Sequence, residues 1–219
     1  MHSYTTLNIR GYGDEPIANT FIKQDSGTER LAVLFPGMRY TIDMPLLYYT
    51  SRVLVSSGAD ALLVDYRYHL DVDFMAASEQ DQARRLTADV TAACRAALSQ
   101  RSYRDVTIVG KSIGTLAMAH LLSTESKLGT ARAVWLTPLL RNDNLRAQIK
   151  TWRGKSLFVI GTADQDYDEK LLGEVEAATR GKSLVIEGGD HSLEIEGDFF
   201  ASLQALEKIL RAVRRFDTE

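Results

Sequence analysis

The sequence predicts an α/β protein with a mostly parallel central sheet flanked by helices on both faces. Three observations predict it. Short apolar runs recur along the chain, among them LAVLF, ALLVDY and VTIV. Segments with apolar residues at helical spacing separate them. The runs lack polar alternation, which fits strands covered on both sides, and strand–helix alternation fits the crossover units of a parallel sheet.

Taken in order, Thr5–Arg10 and Ile17–Lys23 are expected as weak strands of an N-terminal hairpin around the turn-rich GYGDEP. Leu31–Phe35 is the first buried strand, closed by Pro36-Gly37. Met44–Ser57 reads as a helix ended near Gly58, and Ala61–Tyr66 as the second buried strand. Ala76–Gln100 reads as one long helix with Leu86, Val90, Ala93, Cys94, Ala97 and Leu98 on a single stripe. Val106–Val109 is the third strand, and the nearly all-apolar Ile113–Leu122 is a buried helix in which His120 is a satisfied core residue. Ala133–Leu136, Ser156–Ile160 and Leu184–Ile186 complete the strands. Tyr167–Thr179 is helical, and Gly197–Val213 closes the chain with Phe199, Leu203, Leu206, Leu210 and Val213 as its expected buried stripe.

The 219 residues fit one domain, 1–219. Lys and Arg number 26 against 29 Asp and Glu, a net charge of −3, so no general field draws nucleic acid or an anionic membrane. A single cysteine, Cys94, excludes an intrachain disulfide and points to a reducing, cytoplasmic compartment. The start, MHSYTTLNIR, lacks the apolar stretch of a secretory signal, and no window nears the roughly 18 apolar residues of a membrane span.

The stretch DVTIVGKSIGT (Asp105–Thr115) carries two patterns at once. A phosphate-binding loop needs glycine where Asp105 stands, and a flexible loop where the β-branched Val106–Val109 stands, so that reading fails. The other pattern is G-x-S-x-G: a strand, a sharp turn and a helix starting directly after a serine. The turn strains the serine backbone, and its neighbours two residues away must be small; Gly110 and Gly114 are. Ser112 is thereby presented as a nucleophile, and the amide of Ile113 points to where an oxyanion would form at a helix N-terminus. Lys111 reads as an exposed or ion-paired turn residue, with an anion-orienting role beside Ser112 as the alternative.

A serine hydroxyl needs a positioned base, itself held by a third group. Downstream, LFVIGTADQDYD places Asp164 four residues past Ile160, and LVIEGGDHSLE places His191 five past Ile186. Both then stand in loops at strand ends, where the active residues of such sheets are expected. Asp166 is the alternative acid, and Asp164 could instead cap a helix.

GKSIG, GTAD and GGDHSLE in the order Ser, Asp, His, with FPG after the first buried strand, make the chain resemble the α/β-hydrolase superfamily over nearly its whole length. In detail it looks most like the compact, lid-poor, dienelactone-hydrolase-like serine esterases. The resemblance implies the α/β-hydrolase fold and a catalytic set of Ser112, Asp164 and His191. It also implies a second oxyanion amide after Gly37, assigned to Met38, though Pro36 stands where many relatives carry histidine. In relatives a lid sits between the fourth and fifth of these strands. Here that interval, 137–155, is short, holds one helix at most and implies an open cleft. Arg39, Tyr40, Arg67, His69, Leu139 and Leu140 are candidate substrate contacts.

The expected activity is hydrolysis of small-to-medium carboxylic or thio esters, with the ester as small-molecule partner and no metal or organic cofactor. A peptidase or amidase with the same triad, and a non-catalytic ligand-binding or scaffold protein of the same fold, are the alternatives.

Overall fold

The computed structural model describes residues 1–219. Eight strands form one sheet: β1 (His2–Thr5), β2 (Asn19–Gln24), β3 (Arg30–Phe35), β4 (Asp60–Val64), β5 (Asp105–Lys111), β6 (Arg132–Leu136), β7 (Ser156–Gly161) and β8 (Lys182–Ile186), in the order β1-β2-β4-β3-β5-β6-β7-β8. β1 pairs antiparallel with β2, and β2 antiparallel with β4, at one edge; the other five pairings are parallel.

The strands read as unbroken apolar runs because both faces are covered. Leu31, Val33, Phe35, Ile108, Trp135, Phe158 and Ile160 enter one core. That core is shared with α3 (Glu79–Leu98), α4 (Ile113–Thr124), α5 (Asp143–Thr151) and α6 (Glu169–Thr179). Ala32, Leu34, Val109, Val134, Leu136 and Val159 enter the second, shared with α1 (Pro45–Ser56) and α7 (Phe199–Thr218). The alternation is the strand's period of two. Side chains buried this fully each stabilise the fold by about 1.5–3 kcal/mol.

The N-terminal hairpin forms, but its first strand is His2–Thr5, not Thr5–Arg10. The chain leaves the sheet because the Asn19 side chain takes over the ladder's hydrogen bonds. It accepts from the Leu7 amide at 3.0 Å and donates to the Leu7 carbonyl at 2.9 Å. The long helix expected over 76–100 divides into α2 (Val72–Ala76) and α3. Ser78 caps α3 by accepting from the Asp81 amide at 3.2 Å, and Asp71 caps α2 through the Phe74 amide. The stripe from Leu86 to Leu98 is buried as expected.

In α7 the expected stripe holds in part: Val213 is buried and Leu206 packs against the second core, but Phe199 is 70 % exposed and Leu203 also faces out, while Ala205, Ile209 and Phe216 face the core. The helix carries apolar residues on two faces, and the covered face packs against α1, β7 and β8. His120 is likewise only half-buried, with Nε2 3.3 Å from the Thr91 hydroxyl. No helix is long and apolar enough to cross a membrane.

Candidate active site

β5 ends at Lys111 and α4 starts at Ile113, so Ser112 makes the whole turn. Its backbone sits at φ 53° and ψ −118°, a region that costs a non-glycine residue about 1–3 kcal/mol. The Ser112 amide still donates to the Leu136 carbonyl at 3.0 Å, which ties the turn to β6. The flanking glycines are sterically required. A β-carbon on Gly110 would lie 2.3 Å from the Gly114 carbonyl oxygen, and one on Gly114 would lie 2.4 Å from that of Phe35.

Asp164 and His191 arrive from the loops after β7 and β8. Nε2 of His191 stands 2.9 Å from the Ser112 hydroxyl, and Nδ1 stands 2.9 Å from both carboxylate oxygens of Asp164. A carboxylate only accepts, so Nδ1 carries the shared proton and Nε2 is left to accept from the hydroxyl. Asp164 is buried, and its Oδ1 also accepts from the Asp166 amide at 3.0 Å. The His191 turn is built by Asp190, whose Oδ1 accepts from the amides of Ser192 at 2.7 Å and Glu194 at 3.0 Å.

Asp166 is buried next to Asp164 without contacting His191's ring nitrogens. Burial, then the Asp164 charge, pushes its carboxyl above the ordinary range. Donor atoms of Asp164, Asp166 and His191 all fall within 4.8 Å of one another. Both His191 nitrogens are already engaged by Ser112 and Asp164, so the grouping is a hydrogen-bonded chain rather than a set of free metal ligands.

The loop after β3 lies against the serine: a β-carbon on Gly37 would meet that of Ser112 at 3.4 Å. The Tyr66 hydroxyl pins this loop by donating to the Pro36 carbonyl at 2.6 Å. The amides of Met38 and Ile113 donate to no carbonyl of the chain. Both residues line one cavity of about 540 Å³, together with Leu116, Leu145 and polar residues of α3 and α5. The interval 137–155 holds the short helix α5.

The candidate substrate contacts fare unevenly. Arg39 is exposed on the loop after β3, and His69 is half-buried after β4. Arg67 is engaged by Asp65 at 2.7 Å and Asp43 at 3.5 Å. Leu139 packs against the first core, and Leu140 is fully buried in it, so Leu140 cannot wall an open cleft. Tyr40 is buried on the opposite side and faces a separate cavity of about 940 Å³ between the His191 loop, α1 and α7.

Lys111 overturns its expectation most clearly. It is buried, not an exposed turn residue, and its ammonium donates to the main-chain carbonyl of His191. Sequence reasoning also passed over Thr137, whose hydroxyl receives the same ammonium. No local pattern marks either contact, since the partners lie far apart in the chain.

Searched against curated proteins, the sequence finds no match. Solved structures of similar shape are numerous. The esterase Pf2001 of Pyrococcus furiosus superposes with a TM-score of 0.73 at 13% identity, covering 98% of this chain and 91% of that one. A dienelactone hydrolase from Anabaena variabilis gives 0.68 at 15% identity, covering 100% and 97%. A Xanthomonas campestris protein described as an α/β serine hydrolase without lid gives 0.70 at 14%, covering 98% and 93%. At these identities the likeness is one of fold. The family model described as "Alpha/beta hydrolase domain" matches residues 37–216, from the glycine beside Ser112 to the end of the second core, and the chain belongs to that family.

Proposed function

We propose that the chain is a serine hydrolase that cleaves small-to-medium carboxylic or thio esters through an acyl-enzyme. The observation that carries this reading is the unbroken hydrogen-bonded run from Asp164 through His191 to Ser112, mounted on a strained strand-to-helix turn. In this reading the Ser112 oxygen attacks the ester carbonyl as Nε2 of His191 takes its proton. Asp164 holds the imidazole tautomer and stabilises the imidazolium. The tetrahedral oxyanion is met by the amides of Met38 and Ile113. His191 returns the proton to the departing alcohol or thiol. Water, deprotonated by the same imidazole, then releases the acid and restores Ser112.

Ester chemistry is supported by the names of the similar structures, an esterase and a dienelactone hydrolase. The substrate size follows from the site. The cavity beside Met38 and Ile113 is of small-ligand size, and the segment between β6 and β7 that helps line it carries one short helix. Arg39, exposed on the oxyanion loop, is the arginine left free to meet a polar substrate group.

A fluorophosphonate probe and a panel of p-nitrophenyl esters test the reading together. Covalent label on Ser112, absent in Ser112→Ala, with turnover falling as the acyl chain lengthens, is the expected result. Folded protein that takes no label and turns over no ester would point to a binding protein instead.

A further inference from the structure

Lys111 directly precedes Ser112 and ends the strand that presents it, yet its side chain is 1 % exposed. A lysine is seldom buried without partners, because desolvating an ammonium is costly. Here each N–H has one. Nζ lies 2.7 Å from the His191 carbonyl oxygen, 3.1 Å from the Thr137 hydroxyl and 4.6 Å from the centre of the Tyr40 ring. The phenol of Tyr40 is itself fixed, accepting from the Leu46 amide at 3.0 Å. The charged groups facing the ammonium are Asp164, from the loop after β7, and Asp190, from the loop after β8.

The other hydrogen bonds of the His191 loop run to the end of β7 and, from Ile195, to Ser202 of α7. The Ala163 amide donates to the Gly189 carbonyl at 3.0 Å, and the Gly188 amide to the Thr162 hydroxyl at 2.8 Å. None of these reaches β5: apart from the Ser112–His191 hydrogen bond itself, it is the Lys111 ammonium that ties the elbow strand to this loop.

We propose that Lys111 is a positioning residue for His191: the strand end that presents the nucleophile also grips, through this ammonium, the backbone of the residue that takes its proton. The inference rests on the serine-hydrolase reading and adds to it the element that sets the Ser112–His191 distance.

The test uses the full chain as wild type, Lys111→Met, Lys111→Gln and Lys111→Arg. Each is checked for folding by circular dichroism, labelled with a fluorophosphonate, and assayed for kcat and KM on p-nitrophenyl butyrate. The methionine variant keeps length and volume but donates nothing. It is expected to lose about 10–100-fold in kcat, as a small misplacement of a reacting group does, with KM nearly unchanged. A loss of packing alone would not be rescued by a side chain of different shape that keeps the donor. Arginine, which keeps a charged donor, is expected to recover most of the rate. Glutamine is too short to reach both acceptors and is expected to behave like methionine, so it carries the test if methionine prevents folding. A folded methionine or glutamine variant with wild-type kcat, or an arginine variant that recovers nothing, alongside labelled wild type, overturns this inference and leaves the hydrolase reading standing. Folded wild type that takes no label overturns both.

Discussion

Gly161 faces Gly189 so closely that a β-carbon on Gly161 would lie 1.9 Å from the Gly189 carbonyl oxygen. The end of β7 and the loop carrying His191 therefore meet backbone to backbone, two residues from His191 and three from Asp164. An added methyl has no flexible side chain to displace, so the loop itself must move. Gly161→Ala is expected to lower kcat at least tenfold and to cost about 1–3 kcal/mol of stability, the range of overpacking substitutions. Ester turnover and urea unfolding measure the two effects. Wild-type turnover in the alanine variant would show that the close approach does not govern the site.

Asp164 and Asp166 are both buried carboxylates, and the sequence leaves either as the acid. Only Asp164 touches His191, while Asp166 reaches Asp164 through its backbone amide. Asp164→Asn is expected to reduce kcat by about 10⁴, since an amide can present its N–H to Nδ1 and favour the wrong tautomer. Asp166→Asn keeps that backbone amide and is expected to stay within about tenfold of wild type, because its carboxyl moves no proton in the proposed steps. Comparable losses in the two variants would break the assignment of Asp164 as the orienting acid.

These contrasts mark how far the sequence reaches. The buried strands are legible because both faces of each are covered, so LAVLF and VTIV need no alternation to be recognised. Ser112 is legible because the steric demand of its turn acts on Gly110 and Gly114, two residues either side. Asp164 and His191 are legible because parallel strands deliver their following loops to one edge. Lys111 is not. Its surroundings are Thr137, Tyr40 and the His191 carbonyl, assembled from three other loops, and locally it reads as one more charged residue in a turn. β1 misleads for a related reason: the ladder partner expected for Leu7 is replaced by the side chain of Asn19. In α7, two apolar faces fit the helical period, and only the fold decides which is covered.

Burial pulls the Lys111 ammonium down from 10.5 to about 8, against the opposing pull of Asp164 and Asp190. Below pH 8 both folded and unfolded chains hold this proton, and the full penalty of burying the charge is present. Between about pH 8 and pH 10.5 the unfolded chain holds the proton and the folded chain has released it, so the unfolding free energy rises with pH. Cys94 works in the other direction: burial pushes its thiol from 9.0 up to about 12, so the unfolded thiol ionises first and stability falls above pH 9. The cysteine is common to wild type and Lys111→Met, so their difference isolates the lysine. That difference is expected to shift in favour of wild type above pH 8, with a slope approaching about 1.4 kcal/mol per pH unit. Urea unfolding of both proteins at pH 7, 8 and 9 measures it, and a flat difference would mean the ammonium is not desolvated as its burial implies.

Leu116 lies one helical turn beyond Ile113 on α4, and both line the cavity beside the proposed oxyanion amides. Residues three apart share a helix face, so bulk added at position 116 projects into the space an acyl chain would occupy. Leu116→Phe changes neither the serine nor its hydrogen bonds, and the half-buried site tolerates the larger ring better than a closed core would. The variant is expected to hydrolyse p-nitrophenyl acetate at nearly the wild-type rate. For the hexanoate, kcat/KM is expected to fall about tenfold, since one or two displaced methylenes are worth about 1–3 kcal/mol in an apolar pocket. Loss confined to the longer ester places the acyl group between α4 and α5. Equal loss on both esters would show that the substitution disturbs the elbow itself. Unchanged hexanoate turnover would place the acyl chain elsewhere, with the 940 Å³ cavity beside the His191 loop as the next space to narrow.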